Sequence, residues 1–442
     1  MKKLLLFSLT LLFVACQDVG DNKPLLTNSK KKQPIFIVNA NRHLNIAEFW
    51  IDQIPNPNKV MMSSKKIEQF NNQIAHKQGM LNYFKDINKQ YRSSWIKSQL
   101  TRGFDGLKSK VKYFTDNNRV DSEFYKNIKE NMNLKTLNIT NQTTRYALTV
   151  NYSNQRIIPT EEALLKKKNQ IYFDRNQNSA LDIGTFVAVL HTSKDGLWHY
   201  GISPTSSGWI RNQDLAFGER DEVEGYINSK NFVVTTASKT PLRIKGQYHD
   251  YLRMGSKLPY LLSIDKEMMV LVPTKDSKGK LVLSNATVKS SNVNVGYLPY
   301  TQANIITQAF KFLHQPYGWG GMFGEQDCSK FIQEIYATTG VRLPRNSTSQ
   351  SNVGEAKIEL GGLPQESRVE NLNRWAKAGV TILHLKGHIV LYIGNHQGEP
   401  FIIHTVWGAS SRHFGLGRTA VTSLNFNGYF GKIDRITNIL KQ

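Results

Sequence analysis

The residue types that could do chemistry are concentrated in the last third of this 442-residue chain. Cys328 lies in the stretch GEQDCSKFIQEIY, where an apolar stripe at helical spacing begins. Thiolates attack carbonyl carbons, and a helix N-terminus lowers the pKa of a cysteine because it stabilises negative charge. His388 and His404 lie on two strand-like runs downstream, GHIVLYIGN and EPFIIHTVWG. On adjacent antiparallel strands, one imidazole could be the base for the thiol and the other could orient it.

Two other interpretations of these residues stay open. His384 precedes His388 by four residues, which on a strand places both on one face, so these two and His404 could form a zinc site. That set lacks a carboxylate or a second cysteine at recognisable ligand spacing, and we favour a site with no metal. A buried, chemically inert cysteine is the other alternative.

The only other cysteine, Cys16, follows an apolar leader, MKKLLLFSLTLLFVAC. The leader has a basic start, an apolar run of signal-peptide length and a small residue, Ala15, before the cysteine. It resembles the bacterial lipoprotein signal, which implies lipid attachment to Cys16; an ordinary secretory signal is the alternative. Gln17 follows the cysteine, and by resemblance to the bacterial sorting rule it favours the outer membrane, facing the periplasm. Cys328 would then be the only thiol of the mature chain, which favours a nucleophile.

The charge of the chain is consistent with a place in the cell envelope. The formal net charge is +23, which indicates a polyanionic neighbour. Anionic lipid and cell-wall polymer are the partners that an exported, lipid-anchored protein meets. We do not expect nucleic acid, because the basic residues are scattered along the chain.

The pattern of apolar and polar residues changes along the chain and predicts a multidomain protein. Helical periodicity gives way to alternating apolar and polar residues around glycine turns, and then to an α+β pattern. The β region favours two small barrels, whose motifs resemble bacterial SH3-like domains, over a single larger sandwich. In chain order we expect a signal peptide (1–16), a tether (17–33), a mostly α-helical N-terminal domain (34–140), a first SH3-like domain (141–228), a second SH3-like domain (229–299) and an α+β domain (300–442).

Four motifs in residues 300–442 resemble the NlpC-type cysteine peptidases of bacterial cell walls. YGWGG, DCSKF, GHIVLYIG and IIHTVWG follow one another in the order and at the separations of that family. The preceding helical and double SH3-like regions match a lipoprotein subgroup of it. The resemblance implies a papain-like fold with Cys328 as the nucleophile, His388 as the base and His404 as the orienting residue. It also places Tyr317 near the oxyanion hole.

The resemblance further implies contacts to the substrate. Asp327 and Ser329 flank the nucleophile, and in SH3-containing members they help bind the free amino end of the peptide together with an Asp-Ser pair. Here that pair is Asn346 and Ser347. Because an amide cannot ion-pair with an ammonium group, strict selection for a free N-terminal alanine is in doubt.

The family also walls off one end of the cleft with a side chain from the first SH3-like barrel. Tyr200 is our candidate for that role, and Trp198 and Trp209 lie in the same domain. The alternative is that these aromatic side chains form the barrel core.

By resemblance, the expected activity is peptidoglycan hydrolysis. The enzyme would cut the γ-D-glutamyl bond to meso-diaminopimelate in wall stem peptides through a thioester on Cys328, as a monomer and without a cofactor. A muramoyl-L-alanine amidase or an acyl transferase of the same fold is an alternative. A non-catalytic wall-binding lipoprotein, whose barrels hold peptide, is the alternative from another class.

Overall fold

The computed structural model of the chain describes residues 42–138, 140–408 and 415–439. The predicted signal peptide, Cys16 and the tether lie outside these residues. No helix within the described part is long and apolar enough to cross a membrane. The helices are α1 (Ala47–Ile51), α2 (Ser64–Asn72), α3 (Ser93–Lys108), α4 (Ser122–Asn131), α5 (Arg220–Ile227), α6 (Gln302–Phe310), α7 (Cys328–Ala337), α8 (Ser347–Ser351), α9 (Gln365–Trp375) and α10 (Tyr429–Lys432).

The strands fall into four groups along the chain. They are β1 (Gln90–Arg92), β2 (Asn141–Thr143), β3 (Arg145–Thr149), β4 (Ser153–Arg156), β5 (Gln177–Leu181), β6 (Phe186–Thr192), β7 (Trp198–Ile202), β8 (Ser207–Arg211), β9 (Leu215–Gly218), β10 (Phe232–Thr235), β11 (Lys239–Ile244), β12 (Gln247–Arg253), β13 (Lys257–Ile264), β14 (Glu267–Lys275), β15 (Leu281–Lys289), β16 (Val293–Val295), β17 (Ala356–Glu359), β18 (Thr381–Leu385), β19 (His388–His396), β20 (Glu399–Gly408), β21 (Gly415–Ser423) and β22 (Ile433–Asn438).

Two consecutive seven-stranded sheets form the middle of the molecule. The first β domain (β3 to β9) has the strand order β5-β4-β8-β7-β6-β3-β9, and the second β domain (β10 to β16) has the order β12-β11-β15-β14-β13-β10-β16. Every pairing of strands within them is antiparallel. The two sheets follow each other in the chain, as two β domains in tandem would, and side chains of both contribute to one hydrophobic core.

The C-terminal domain is α+β, as predicted. Its antiparallel sheet has the order β17-β22-β18-β19-β20-β21, and α6 and α7 share a core with it. Helix α7 turns its apolar stripe towards the sheet, so Phe331 and Tyr336 are fully buried together with Phe401 of β20. Burial of this stripe fixes the orientation of the helix that begins at Cys328.

The helices of residues 42–138 do not share one core. Trp50 of α1 and Phe70 of α2 belong to the core of the C-terminal domain, whereas Leu100 of α3 and Ile128 of α4 pack with the first β domain. Helix α1 has five residues, and a helix so short is stable only when its apolar face is buried against other elements. We expected one helical domain over residues 34–140. In the structure, the part of this region before about residue 82 packs into the core of the C-terminal domain, and the part after it packs with the first β domain.

Candidate active site

Cys328 is the first residue of α7, and Asp327 is the N-cap of that helix. The Asp327 carboxylate accepts a hydrogen bond from the backbone N–H of Lys330 at 2.8 Å, which satisfies one of the free donors of the first turn. The Cys328 side chain is nearly buried, with 8% of its surface exposed. The backbone N–H of Ile389, next to His388 on β19, hydrogen-bonds to the thiol. The nucleophile predicted from sequence therefore lies beside the strand that carries the predicted base.

His388 and His404 are hydrogen-bonded to each other, as the two-strand argument predicted. Strands β19 and β20 are antiparallel neighbours, and Nε2 of His388 lies 2.9 Å from Nδ1 of His404. Nε2 of His404 lies in turn 3.1 Å from the Thr422 hydroxyl on β21. Among the described residues, Nδ1 of His388 has no hydrogen-bond partner. A neutral His388 that donates from Nε2 presents an Nδ1 lone pair, which is what a general base requires.

Both imidazoles are held in the neutral form. Burial, followed by repulsion from His384, lowers the pKa of His388 to about 4, although Asp327 opposes the shift. Burial lowers the pKa of His404 well below its ordinary value, and His388 adds to the effect. A neutral His404 can accept the N–H of His388 at neutral pH. Its role as the orienting residue is therefore compatible with its charge state.

The thiol departs from the expectation of a low pKa. Burial raises the pKa of Cys328 to about 12, and the Asp327 charge adds to the rise, while Arg345 and the N–H groups of Ile389 and Ser329 oppose it. This direction is opposite to the one that the helix N-terminus alone predicts, because burial disfavours the charged thiolate. At neutral pH the pair is a thiol beside a neutral imidazole.

Tyr317 lies close to the nucleophile. Its backbone N–H donates to Gly417 on β21 at 2.8 Å, which fixes the start of the YGWGG loop. Burial raises the pKa of the Tyr317 hydroxyl, and nearby Cys328 and Asp327 raise it further. The phenol therefore stays protonated and can donate a hydrogen bond to negative charge that develops at Cys328.

The Asp327 carboxylate is saturated by groups of the protein itself. Arg345 binds it with two donors, at 3.1 Å to Oδ1 and 2.7 Å to Oδ2, and the Ser329 hydroxyl donates to Oδ1 at 3.0 Å. The N–H of Gly320 in the YGWGG loop donates to Oδ2 at 3.1 Å. Arg345 also donates to the Ser179 hydroxyl of β5, so this ion pair joins the nucleophile helix to the first β domain. Through these contacts Arg345 serves the fold of the domain.

The remaining predicted substrate contacts lie in two places. Asn346 is exposed at the N-cap of α8, where its side chain accepts from the N–H of Ser349, and Ser347 begins that helix. The structure does not bring Tyr200 to the site. Tyr200 is 6% exposed, its ring lies 5.7 Å from that of Trp209, and both belong to the core of the first β domain.

The aromatic residues beside the YGWGG loop are ones that sequence reasoning missed. Phe173 of the first β domain lies 5.4 Å from Trp319 and 5.2 Å from Trp407, ring centre to ring centre. The Arg175 guanidinium lies over the Trp319 ring at 4.7 Å. Tyr429 packs against His388 at 5.5 Å and closes the other side of the imidazole pair. Trp319 and Trp407 lie within the quoted YGWGG and IIHTVWG motifs, whereas Phe173 and Tyr429 had no signal in the sequence.

The zinc alternative gains no support from the geometry. His384 lies on β18 and not on the strand of His388, and its Nδ1 lies 2.6 Å from an Asp434 oxygen on β22. Across residues 42–138, 140–408 and 415–439, no group of three His, Cys, Asp or Glu side chains is arranged to hold a metal ion.

Comparison with known families gives this geometry its context. Residues 314–406, which include Tyr317, Cys328, His388 and His404, match the model of the NlpC/P60 family, and residues 164–211 match that of an SH3 domain of the SH3b1 type. The chain carries an NlpC/P60 domain preceded by an SH3-like domain. The predicted resemblance and the multidomain fold class are thereby confirmed.

Two solved structures show similarity to the chain, over different shares of its length. One is a novel NlpC/P60 endopeptidase from Photobacterium damselae subsp. piscicida, with 23% identity, a TM-score of 0.72 and coverage of 92% of this chain and 98% of that one. The other is an NlpC/P60 family protein from Bacillus cereus ATCC 10987, with 21% identity, a TM-score of 0.46 and coverage of 60% of this chain and 83% of that one. The first likeness shows that the fold of this chain recurs in another protein. No curated protein matches the chain.

Proposed function

We propose that the protein is a cysteine endopeptidase of peptidoglycan that cuts the γ-D-glutamyl bond to meso-diaminopimelate in stem peptides. The observation that carries the proposal is the hydrogen-bonded pair His388–His404 beside the helix that begins at Cys328. The NlpC/P60 match over residues 314–406 supports the reaction class.

The first half of the reaction is acyl transfer to sulfur. Sγ of Cys328 attacks the carbonyl carbon of the γ-glutamyl amide while Nδ1 of His388 takes the thiol proton. The proton moves in the same step because the resting pair is neutral on both sides. The resulting imidazolium keeps its Nε2–H on His404, so the base holds one orientation throughout.

Negative charge on the substrate oxygen requires fixed donors. The Tyr317 hydroxyl and the backbone N–H of Cys328 are the two groups placed to supply them. When the tetrahedral intermediate collapses, the C–N bond breaks and the diaminopimelate amine takes the proton from His388. The products of this step are a γ-glutamyl thioester on Cys328 and a free amine.

Hydrolysis of the thioester restores the enzyme. His388, neutral again, removes a proton from water as the water oxygen adds to the thioester carbon. The second intermediate expels the sulfur, which regains its proton, and the glutamyl carboxylic acid leaves. The net reaction is amide plus water giving acid plus amine, and it needs no redox partner or metal.

The residues beside Cys328 bear on whether the substrate has a free or an acylated N-terminal amine. Asp327 is the carboxylate next to Cys328, and Arg345 already neutralises it within a buried, bidentate ion pair. Asn346, at the position where relatives of this type carry an acid, caps α8 instead. Both features favour a stem peptide whose alanine nitrogen is acylated, as it is when the peptide is linked to glycan.

We also propose that the protein acts at the cell envelope as a lipid-anchored monomer. The support is the leader before Cys16 and the formal net charge of +23, which suits an anionic lipid or wall surface. In cells, a Cys16→Ser variant should move from the membrane fraction to the soluble fraction. Retention in the membrane fraction would contradict a lipid anchor at this residue.

Mass spectrometry of two substrates tests the activity. The free peptide L-Ala-γ-D-Glu-meso-diaminopimelate and the same peptide linked to a disaccharide are each incubated with the full chain carrying Cys16→Ser. The matched control adds Cys328→Ala. We expect L-Ala-D-Glu, free or sugar-linked, from both substrates, and none with Cys328→Ala. Release of the whole stem peptide from the sugar would instead identify an amidase. No product from either would favour the wall-binding alternative.

A further inference from the structure

A cavity of about 950 Å³ lies away from the catalytic cysteine, where the parts of the molecule meet. Its walls come from α7, from both β domains and from the segment that includes α2 and residues 81–85. Among the described residues, neither Cys328 nor His388 lines it. The volume falls in the range of small-molecule sites, roughly 300–1,000 Å³.

One wall of the cavity carries two carboxylates that share one lysine. Glu334 of α7 is 4% exposed; its Oε1 lies 3.2 Å from Lys330 Nζ, and its Oε2 has no hydrogen-bond partner among the described residues. Oδ1 of Asp182, from the first β domain, is likewise buried without a partner in the described part of the chain. Lys330 Nζ stands between them, 3.2 Å from Glu334 and 3.6 Å from Asp182. Burial, with the Asp182 charge, raises the pKa of Glu334 to about 7 although Lys330 and Arg253 oppose the shift.

Another wall of the same cavity carries two cations. Lys257 of the second β domain and Arg342, which follows α7, both line it. They are close enough to repel each other, and burial together with Arg342 lowers the pKa of Lys257 to about 8. Between the two walls, the Ser256 hydroxyl is buried with no hydrogen-bond partner among the described residues. Buried polar groups without partners are uncommon in folded proteins, so this set calls for an explanation.

We propose that this cavity binds a short zwitterionic peptide, with its ammonium group at Asp182 and Glu334 and its carboxylate at Lys257 and Arg342. An ammonium has three donors and would supply the hydrogen bonds that the two carboxylates lack. A carboxylate would relieve the repulsion between the two cations. The volume exceeds what a single amino acid fills, and apolar side chains such as Met254 and Ile183 line the space between. The site is independent of the proposed activity.

Calorimetric titration with all-L trialanine, in the full chain carrying Cys328→Ala, tests the site. Trialanine is compared with N-acetyl-trialanine and with trialanine amide, which each lack one terminal charge. We expect each capped peptide to bind about tenfold more weakly or worse than trialanine, the loss of one charge-assisted contact. Glu334→Gln should remove the preference for the free amine only. Arg342→Gln should remove the preference for the free carboxylate only. Arg374→Gln, an exposed arginine on α9, should change neither.

Three outcomes would overturn the proposal. One is the absence of binding up to about 10 mM trialanine, a concentration at which even a millimolar site fills. A second is equal affinity for the free and capped peptides, which would mean that the charged side chains of the cavity do not bind the peptide termini. The third is that Glu334→Gln and Arg342→Gln bind trialanine more weakly but still prefer the free amine and the free carboxylate as the parent does. If Glu334→Gln fails to fold, the exposed Arg342→Gln still decides, through the carboxylate preference alone.

Discussion

Replacement of His404 tests whether the second imidazole acts only by holding the first. His404 is fully buried, and its Nδ1 accepts from His388 at 2.9 Å. His404→Leu removes this acceptor and keeps an apolar side chain of similar bulk. His404→Asn places Oδ1 close to where Nδ1 stood, because the two side chains share their geometry as far as that atom. The first variant breaks the contact and the second preserves it.

The expected size of the effect follows from one hydrogen bond. A buried N–H left without an acceptor costs about 1–3 kcal/mol. If this cost falls on the orientation in which His388 faces the thiol, kcat drops about 5- to 150-fold, since each 1.36 kcal/mol is a factor of ten. His404→Asn loses only the contact to Thr422, and we expect it to stay within about fivefold of the parent. KM should not change, because His404 does not touch the substrate.

Two measurements check this prediction. Steady-state kinetics on the disaccharide-linked peptide give kcat and KM, and the rate of Cys328 alkylation by iodoacetamide at pH 7 reports base assistance without any substrate. Both rates should fall together in His404→Leu and recover in His404→Asn. Thermal unfolding of each variant shows whether it is folded. Full kcat in a folded His404→Leu would refute the orienting role, and equal losses in both variants would mean that the acceptor atom is not what matters.

Three further predictions rest on other contacts. Because burial holds the pKa of His388 at about 4, the base is neutral at pH 7, and kcat/KM should fall only as the pH drops through that value; an acid limb near pH 6.5 would contradict this. Arg345→Met should lower the free energy of unfolding in urea by about 3–5 kcal/mol because Asp327 is left buried and unpaired, and the double variant with Asp327→Asn should recover part of the loss. Trp50→Ala should cost about 3–5 kcal/mol in the same assay, whereas Trp95→Ala, at an exposed position, should cost far less.

The catalytic candidates were predictable because each is tied to a local pattern. The apolar stripe after Cys328 predicts a helix starting there, and the β-branched runs around His388 and His404 predict two neighbouring strands. Antiparallel pairing of β19 with β20 then brings the two imidazoles within hydrogen-bond distance. The predicted helix and the predicted strand pair each depend on nearby residues alone, and the structure confirms both.

What failed depends on contacts between distant elements. Strand alternation shows which side chains can face a β-domain interior, but it does not show which loop of that domain meets the cleft. In the structure, Tyr200 lies in the interior of the first β domain. The residue of that domain that packs against the YGWGG loop is Phe173, which lies in a loop with no regular sequence pattern. Likewise, the spacing of apolar residues marks α1 and α2 as helices without naming the surface that covers them. That surface is the C-terminal core, more than 200 residues further along the chain.

The thiol is the most instructive departure, because the local rule and the tertiary environment act in opposite directions. A helix N-terminus favours the thiolate of Cys328, yet burial and the neighbouring Asp327 charge disfavour it more strongly. A pKa of about 12 leaves a thiolate fraction on the order of 10⁻⁵ at pH 7. Oxidants react with the thiolate, so a free cysteine in this state is slow to oxidise. Its reactivity then depends on His388 taking the proton as an electrophile arrives, which couples activation of the nucleophile to the approach of its reaction partner.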